Sequence, residues 1–416
     1  MATIRPFKGV KPIQSIAKDL SCLPYDVMNS EEAAKMAKGK ECSLLRVTKA
    51  EIDCPPGTDV HSEVVYNKSV ENYNKLKEKG WLVQDEDAKY YIYAQTMDDR
   101  TQYGIVGCAS CDDYHNGIIK KHELTRPDKE DDRMILTRYT NANIEPVFFS
   151  YRAVPEIDNI VEIIVKTRKA DYNFVSEDGF GHHFWSINDA PTNKRLEELF
   201  AKKVPATYVA DGHHRTAAAA RIGLERKAKN PNHTGNEEYN YFMAVHFPDN
   251  QLKIIDYNRV VKDLNGLTKE QFLSKLNDYF IVDEKGSEIY RPEKLHNFSL
   301  YIDNNWYSLT ARPGTYNDND PIGVLDVTIL SQLVLNNILG VEDLRTTTRV
   351  EFVGGIRGLG ELKKRVDSNE MKVAFALYPV SMNQLLDIAD TGNIMPPKTT
   401  WFEPKLRSGL VIHELE

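Results

Sequence analysis

Apolar residues along this chain recur with two spacings, one of two residues and one of three to four, and the two spacings lay out its elements. Strands are predicted over 44–47, 90–95, 102–109, 146–151, 184–187, 239–247, 252–257, 298–302, 306–310 and 373–377. Helical spacing predicts helices over 69–79, 134–140, 157–168, 193–202, 271–280, 326–339, 359–366 and 382–390; in 157–168 the periodic set is Ile160, Ile163, Ile164 and Val165. Polar turns separate them. Asp98, Asp99 and Arg100 close a hairpin between 90–95 and 102–109, and Asp303-Asn304-Asn305 closes one between 298–302 and 306–310. Asp249-Asn250 is read as the turn that returns 252–257 against 239–247. The first 60 residues read as irregular, apart from the strand at 44–47 and a helix over 30–37 started by Asn29 and Glu32 as a capping box.

Helices and strands interleave over the whole length, which predicts an α/β chain, α+β in the sense of mixed sheets. At 416 residues it exceeds one ordinary domain. Three regions are expected: an N-terminal α/β region over 1–130, a core over 131–260, and a C-terminal α/β region over 261–416 that closes on a Pro/Lys/aromatic loop.

The core is organised around Val204-Pro205-Ala206-Thr207-Tyr208-Val209-Ala210-Asp211-Gly212-His213-His214-Arg215, followed by Thr216 and the alanines 217–220. An apolar strand breaks at Asp211-Gly212 into a helix expected to end at Gly223. Gly212 permits a tight turn, and the helix start offers N–H groups and a positive dipole end to an anion such as phosphate. Asp211 is a candidate base or metal ligand, His213 and His214 can move protons, and Arg215 can grip phosphate. Asp211 as a plain helix cap is the competing reading.

Other motifs carry less. His122-Glu123 lacks the second histidine of a His-Glu-x-x-His site, since position 126 is Arg126. The stretch Lys120, Lys121, His122, Glu123, Thr125 reads by spacing alone as a charged loop. Cys108 and Cys111 form one Cys-x-x-Cys without a partner pair, and the five cysteines are expected to be free thiols. Gly354 to Gly360 matches neither phosphate-loop spacing. The terminal stretch from Met395 to Gly409 mixes prolines, aromatics, Lys398 and Lys405, as a clasp over the core or as a fixed loop with cations turned inward.

Composition narrows the partners. A net charge of −8 and a pI near 5.8 argue against a broad nucleic-acid face. No apolar run reaches the roughly 20 residues of a membrane span, and the N-terminus has no apolar signal core, so a cytoplasmic location is expected. A homodimer is left open.

Pro24-Tyr25-Asp26-Val27, Tyr103-Gly104-Ile105, Lys121-His122-Glu123 with Thr125, Ala210 to Arg215, and Met395 to Thr400 with Lys405-Leu406 together resemble the domain of unknown function 1015 family, in order over nearly the whole chain. The central motif is similar to the phosphate-binding turn of the ParB/sulfiredoxin superfamily, and within it to that of the free serine kinases. The resemblance implies a ParB/sulfiredoxin-like core with added α/β subdomains. It implies ADP or ATP with Mg²⁺, phosphates lying by Gly212, His213, His214, Arg215 and Thr216, and Asp211 as base or Mg²⁺ ligand. Those kinases use a further glutamate; Glu123, beside His122, is the candidate by chemistry and Glu177 by position. Lys398 and Lys405 are further candidates for phosphate charge. The expected activity is transfer of a phosphoryl group to a small hydroxyl compound such as serine. The alternative is a nucleotide-sensing protein without turnover.

Overall fold

The computed structural model describes residues 1–344 and 346–416 and divides into two compact units, 1–252 with 404–416, and 253–403. In chain order the first unit contributes β1 (Ile4–Arg5), α1 (Ser30–Ala37), α2 (Glu63–Glu78), β2 (Tyr91–Met97), β3 (Arg100–Ser110), α3 (Cys111–His115), β4 (Ile119–Lys120), α4 (Pro127–Thr140) and β5 (Val147–Tyr151). It continues with α5 (Pro155–Thr167), β6 (Tyr172–Val175), β7 (Gly181–Ser186), α6 (Ala190–Lys203), β8 (Thr207–Asp211), α7 (His213–Lys229) and β9 (Tyr241–Pro248). The fold is mixed α/β.

Local chemistry accounts for many of these boundaries. Pro127 and Pro155 open α4 and α5, where a missing N–H leaves nothing unbonded. The Asn29–Glu32 capping box starts α1. Asp189 caps α6 by accepting from the Thr192 N–H at 2.9 Å.

Nine strands form one mixed sheet, ordered β4-β8-β5-β9-β3-β2-β7-β6, with β1 added against β3. The hairpin β2–β3 closes from Met97 to Arg100 as its turn residues predict. At the centre β9 runs parallel to β5 and antiparallel to β3. Helices cover both faces. Ile157, Ile164, Leu196 and Phe200 of α5 and α6 pack on Ile92, Ile105 and Tyr151. On the other face, Cys111 and Ala219 of α3 and α7 pack on Val147, Phe149, Val209 and Phe242. The alanines of α7 let it lie close to the sheet.

Four expectations are corrected. Residues 44–47 are not a strand: Leu45–Thr48 is a helical turn buried with α1 and α2, an apolar run too short for its period to decide. Residues 252–257 do not return along 239–247, because both edges of β9 are taken; Ile254–Ile255 pairs with Trp401–Phe402 instead. The strand expected over 184–187 begins earlier, at Gly181, so that His182 and His183 lie within β7. And α7 runs through Gly223 to Lys229. That glycine is a point of close approach: a Cβ there would sit 2.7 Å from Cys111 Sγ and 2.9 Å from the Tyr239 carbonyl oxygen.

In the second unit, β10 (Tyr257–Val261), β11 (Phe280–Gly286), β12 (Asn297–Ile302), β13 (Asn305–Ala311), β14 (Val350–Gly354) and β15 (Val373–Ala376) form an antiparallel sheet ordered β11-β13-β12-β15-β10-β14. The helix Gly358–Asp367 buries Leu359 and Leu362 on Val260, Trp306 and Ala374. Residues 326–339 begin as the expected helix, but after Ile329 the backbone widens into a π-helix, Leu330–Asn336. Among the described residues no helix is long and apolar enough to cross a membrane.

Gly223→Ala tests the close approach of α7. Alanine is the better helix former by about 1 kcal/mol, yet the crowded Cβ predicts a net loss of roughly 1–3 kcal/mol in chemical denaturation, as for other overpacked sites.

Candidate functional site

The site forms where β8 ends. Opposite β5 the register shifts between Val209 and Asp211, a bulge that re-aims Asp211 at the strand's end. Gly212 follows with φ +88°, the left-handed conformation that a side chain strains, and α7 begins at His213 with no side-chain cap on its N–H groups. A Cβ on Gly212 would also meet the Arg215 guanidinium at 3.2 Å.

Arg215 turns inward rather than toward solvent. It is buried and donates to the Pro146 carbonyl at 2.6 Å. Burial works against its charge, but Asp26, Glu145 and Asp211 outweigh it and hold the guanidinium above its ordinary pKa. Around it lies a network that the sequence did not announce. Glu145 accepts from the Tyr25 N–H at 3.0 Å and pairs with Arg133 at 3.4 Å; Arg133 stacks 3.8 Å over the Tyr25 ring and pairs with Asp132 at 2.6 Å. The Pro24-Tyr25-Asp26 motif therefore reaches the site from behind.

Asp211, at 29% side-chain exposure, faces two cations: Lys405 Nζ at 3.5 Å and Arg215 at 4.0 Å. Burial alone would raise its carboxyl; the charges of Lys405 and Arg215 more than offset it and hold the pKa below the ordinary value. Lys405 is placed by its backbone, whose carbonyl accepts from Gln95 Nε2 at 2.9 Å, and Gln102 donates to Gln95 in turn. Thr216 is committed to the helix, donating to the Gly212 carbonyl at 3.0 Å. His214 is half-buried beside it.

A second cluster adjoins the first. His122 and His213 meet edge to face, ring centroids 4.6 Å apart, and Glu123 Oε2 lies 3.7 Å from His213 Nδ1. Burial brings His122 down to about 4, partly offset by Asp211, and pushes His213 well below its ordinary value, so both imidazoles are neutral at pH 7. The structure thus brings His122, Glu123 and His213 together on one side and Asp211, Arg215 and Lys405 on the other. Thr125 is bound to Glu130, and Lys121 lies 5.2 Å over the Tyr114 ring.

Other candidates are engaged elsewhere. Glu177 pairs with Lys40. His182 sits between the Tyr93 hydroxyl at 2.8 Å and the Ser176 hydroxyl at 2.9 Å, and burial first among several causes lowers it to about 3. Lys398 lies in the second unit, exposed, at φ +57° and 6.0 Å over the Tyr257 ring. The five cysteines are free, with Cys108 and Cys111 buried.

Residues 4–328 match the family model described as protein of unknown function (DUF1015), and the chain belongs to that family. A search of curated proteins returns no match. Solved structures similar to this chain include a conserved hypothetical protein from Pyrococcus furiosus, at 13% identity and TM-score 0.35 over 74% of this chain and 95% of that one. A free serine kinase in complex with AMP matches at 12% identity and TM-score 0.35, over 74% of this chain and 92% of that one. SbnI from Staphylococcus aureus, truncated at its C-terminus, matches at 10% and 0.35, over 73% and 87%. These likenesses stand below a TM-score of 0.5, and the functional reading rests on the site.

Lys405→Met retains most of the stem and removes the charge. Asp211 has its folded pKa depressed, so the pair stabilises the fold above the unfolded carboxyl value of about 3.9 and that stability is lost as pH falls through the folded value. The variant should be less stable than the parent by about 1 kcal/mol at pH 7. In thermal unfolding the difference should shrink as pH is lowered below about 4.

Proposed function

We propose that the β8–α7 turn receives the phosphates of ADP or ATP and that the protein transfers a phosphoryl group to a small hydroxyl compound, serine being the first to test. One observation carries the proposal: the Lys405–Asp211 pair, 3.5 Å apart, beside a seventeen-residue helix whose N-terminus has no side-chain cap. A phosphate there would meet helix N–H groups and offer Lys405 an anionic partner besides Asp211. Lys405, only 11% exposed, is already ordered for that contact. Gly212 leaves the backbone free of a side chain where the phosphate would approach, and Arg215, fixed from behind, adds positive potential.

Mg²⁺ fits this arrangement through Asp211, an ionised and partly exposed carboxylate, the kind of oxygen donor that shares Mg²⁺ with phosphates and water. When bound, it would neutralise phosphate charge. Glu123, at 37% exposure, is the carboxylate with access to an acceptor. In the transfer, the acceptor oxygen forms a bond to the terminal phosphorus and the bond to the nucleotide's leaving oxygen breaks. The hydroxyl proton passes to Glu123. Most of the rate comes from alignment and charge stabilisation rather than covalent chemistry.

The ParB/sulfiredoxin-like assignment of the core belongs to this same proposal, supported by the strand–Asp-Gly–helix turn. The second reading, a nucleotide sensor without turnover, shares the phosphate site and differs in product.

A thermal-shift series with ADP, ATP, AMP and pyrophosphate, each with Mg²⁺, tests the site. A nucleotide at 100 times its Kd should add about 2.7 kcal/mol of stability, and Lys405→Met should weaken Kd by about tenfold, some 1.4 kcal/mol. Absence of any shift would end the reading. Phosphoserine formation that disappears in Glu123→Gln while nucleotide binding persists separates the kinase from the sensor.

A further inference from the structure

We propose that His122, Glu123 and His213 form a binding site for a divalent transition-metal cation of the Zn²⁺ and Co²⁺ class. Each offers one ligand atom, and these atoms all lie within 4.8 Å of one another; among the described residues no other group of three His, Cys, Asp or Glu side chains does this. Two imidazoles and one carboxylate are the ligand set of open, three-ligand zinc sites, with a fourth position left for water or substrate. Ligand atoms in a tetrahedral site with bonds of about 2.0–2.1 Å lie roughly 3.4 Å apart. Glu123 Oε2 and His213 Nδ1, at 3.7 Å, are nearly there. The remaining closure falls to Glu123, which stands on the loop after β4 and is partly exposed.

The two histidines are built in rather than incidental. Their exposures are 2% and 7%, so each surrenders hydration that a partner must replace. The His122 ring is hydrogen-bonded to the backbone of Val209, the kind of contact that fixes the orientation of a metal-ligating imidazole. Asp211 adds negative charge near His122, and the burial that keeps both imidazoles neutral leaves them in the form that binds metal. Imidazole is a poor ligand for Mg²⁺ and a good one for Zn²⁺, Co²⁺ or Ni²⁺, so this site and the carboxylate–phosphate site at Asp211 would select different cations. The inference stands without the phosphotransferase reading. Within that reading, a bound cation would occupy the carboxylate that otherwise takes the acceptor's proton.

The test uses the full chain, stripped with a chelator, free of any affinity tag and without nucleotide. Co²⁺ titration should produce the visible d–d bands of tetrahedral Co²⁺ at one equivalent, and Zn²⁺ should displace them. Glu123→Gln, at a partly exposed position, should keep the parent's melting temperature in chelator and lose at least roughly tenfold in Zn²⁺ affinity. His213→Gln should lose the bands. Absence of tetrahedral bands, or bands of equal intensity and affinity in Glu123→Gln and His213→Gln, overturns the proposal. Thiolate charge-transfer absorption in place of imidazole-type bands would assign the metal to a cysteine and also overturn it.

Discussion

A guanidinium held almost out of reach of water is the constraint from which the first unit's site follows. Arg215 reaches back from the first turn of α7 to the carbonyl before β5 and is balanced by carboxylates from three separate segments, Asp26, Glu145 and Asp211. Removing one partner of such a set leaves charges buried without compensation, so the pieces must be assembled together or not at all. That requirement joins the N-terminal turn, the strand β5, the bulge at β8 and the start of α7 into one object. It also explains why Gly212 has no room to carry a side chain: the guanidinium it would strike cannot move without breaking the balance.

Much of this was legible in the sequence. The break of an apolar strand at Asp211-Gly212 into an alanine-rich helix located the turn, because glycine and small residues have few other reasons to stand in that order. The hairpin at Asp98-Asp99, the capping box at Asn29 and the strand over 146–151 followed from local rules alone. What failed were properties set at a distance. Leu45–Thr48 is helical because of what it packs on, and the π-helix at Leu330–Asn336 has no signature in apolar spacing. Gly223 looked like a helix end and is a contact point, a distinction that depends on Cys111 and Tyr239 lying opposite.

The polar residues show the same division. Glu145 and Arg133 carry charges that in sequence look like surface positions, and only the fold buries them against each other. The histidines divide by their partners. His182 has both ring nitrogens taken by hydroxyls, and His413 is bonded to Asn143 and Glu238, so each is finished as a structural piece. His122 and His213 face one another instead, with a carboxylate at their side. Number and proximity along the chain could not separate these surroundings; the groups that the fold sets beside each ring do.

The return of residues 404–416 to the first unit has a consequence for how the protein comes into being. Lys405 pairs with Asp211, and Ile412 and Leu415 hydrogen-bond to Val10 and Asn141, so part of the first unit is made of chain that follows the whole second unit. About 150 residues with their own sheet are synthesised in between. The first unit therefore cannot be completed until that stretch has been made, and the long closure makes its completion a late and slow event in folding. A chain that stopped before residue 404 would contain every strand of the two large sheets and leave Asp211 without Lys405. Asp211 thus receives Lys405 only after the whole of the second unit has been laid down between them.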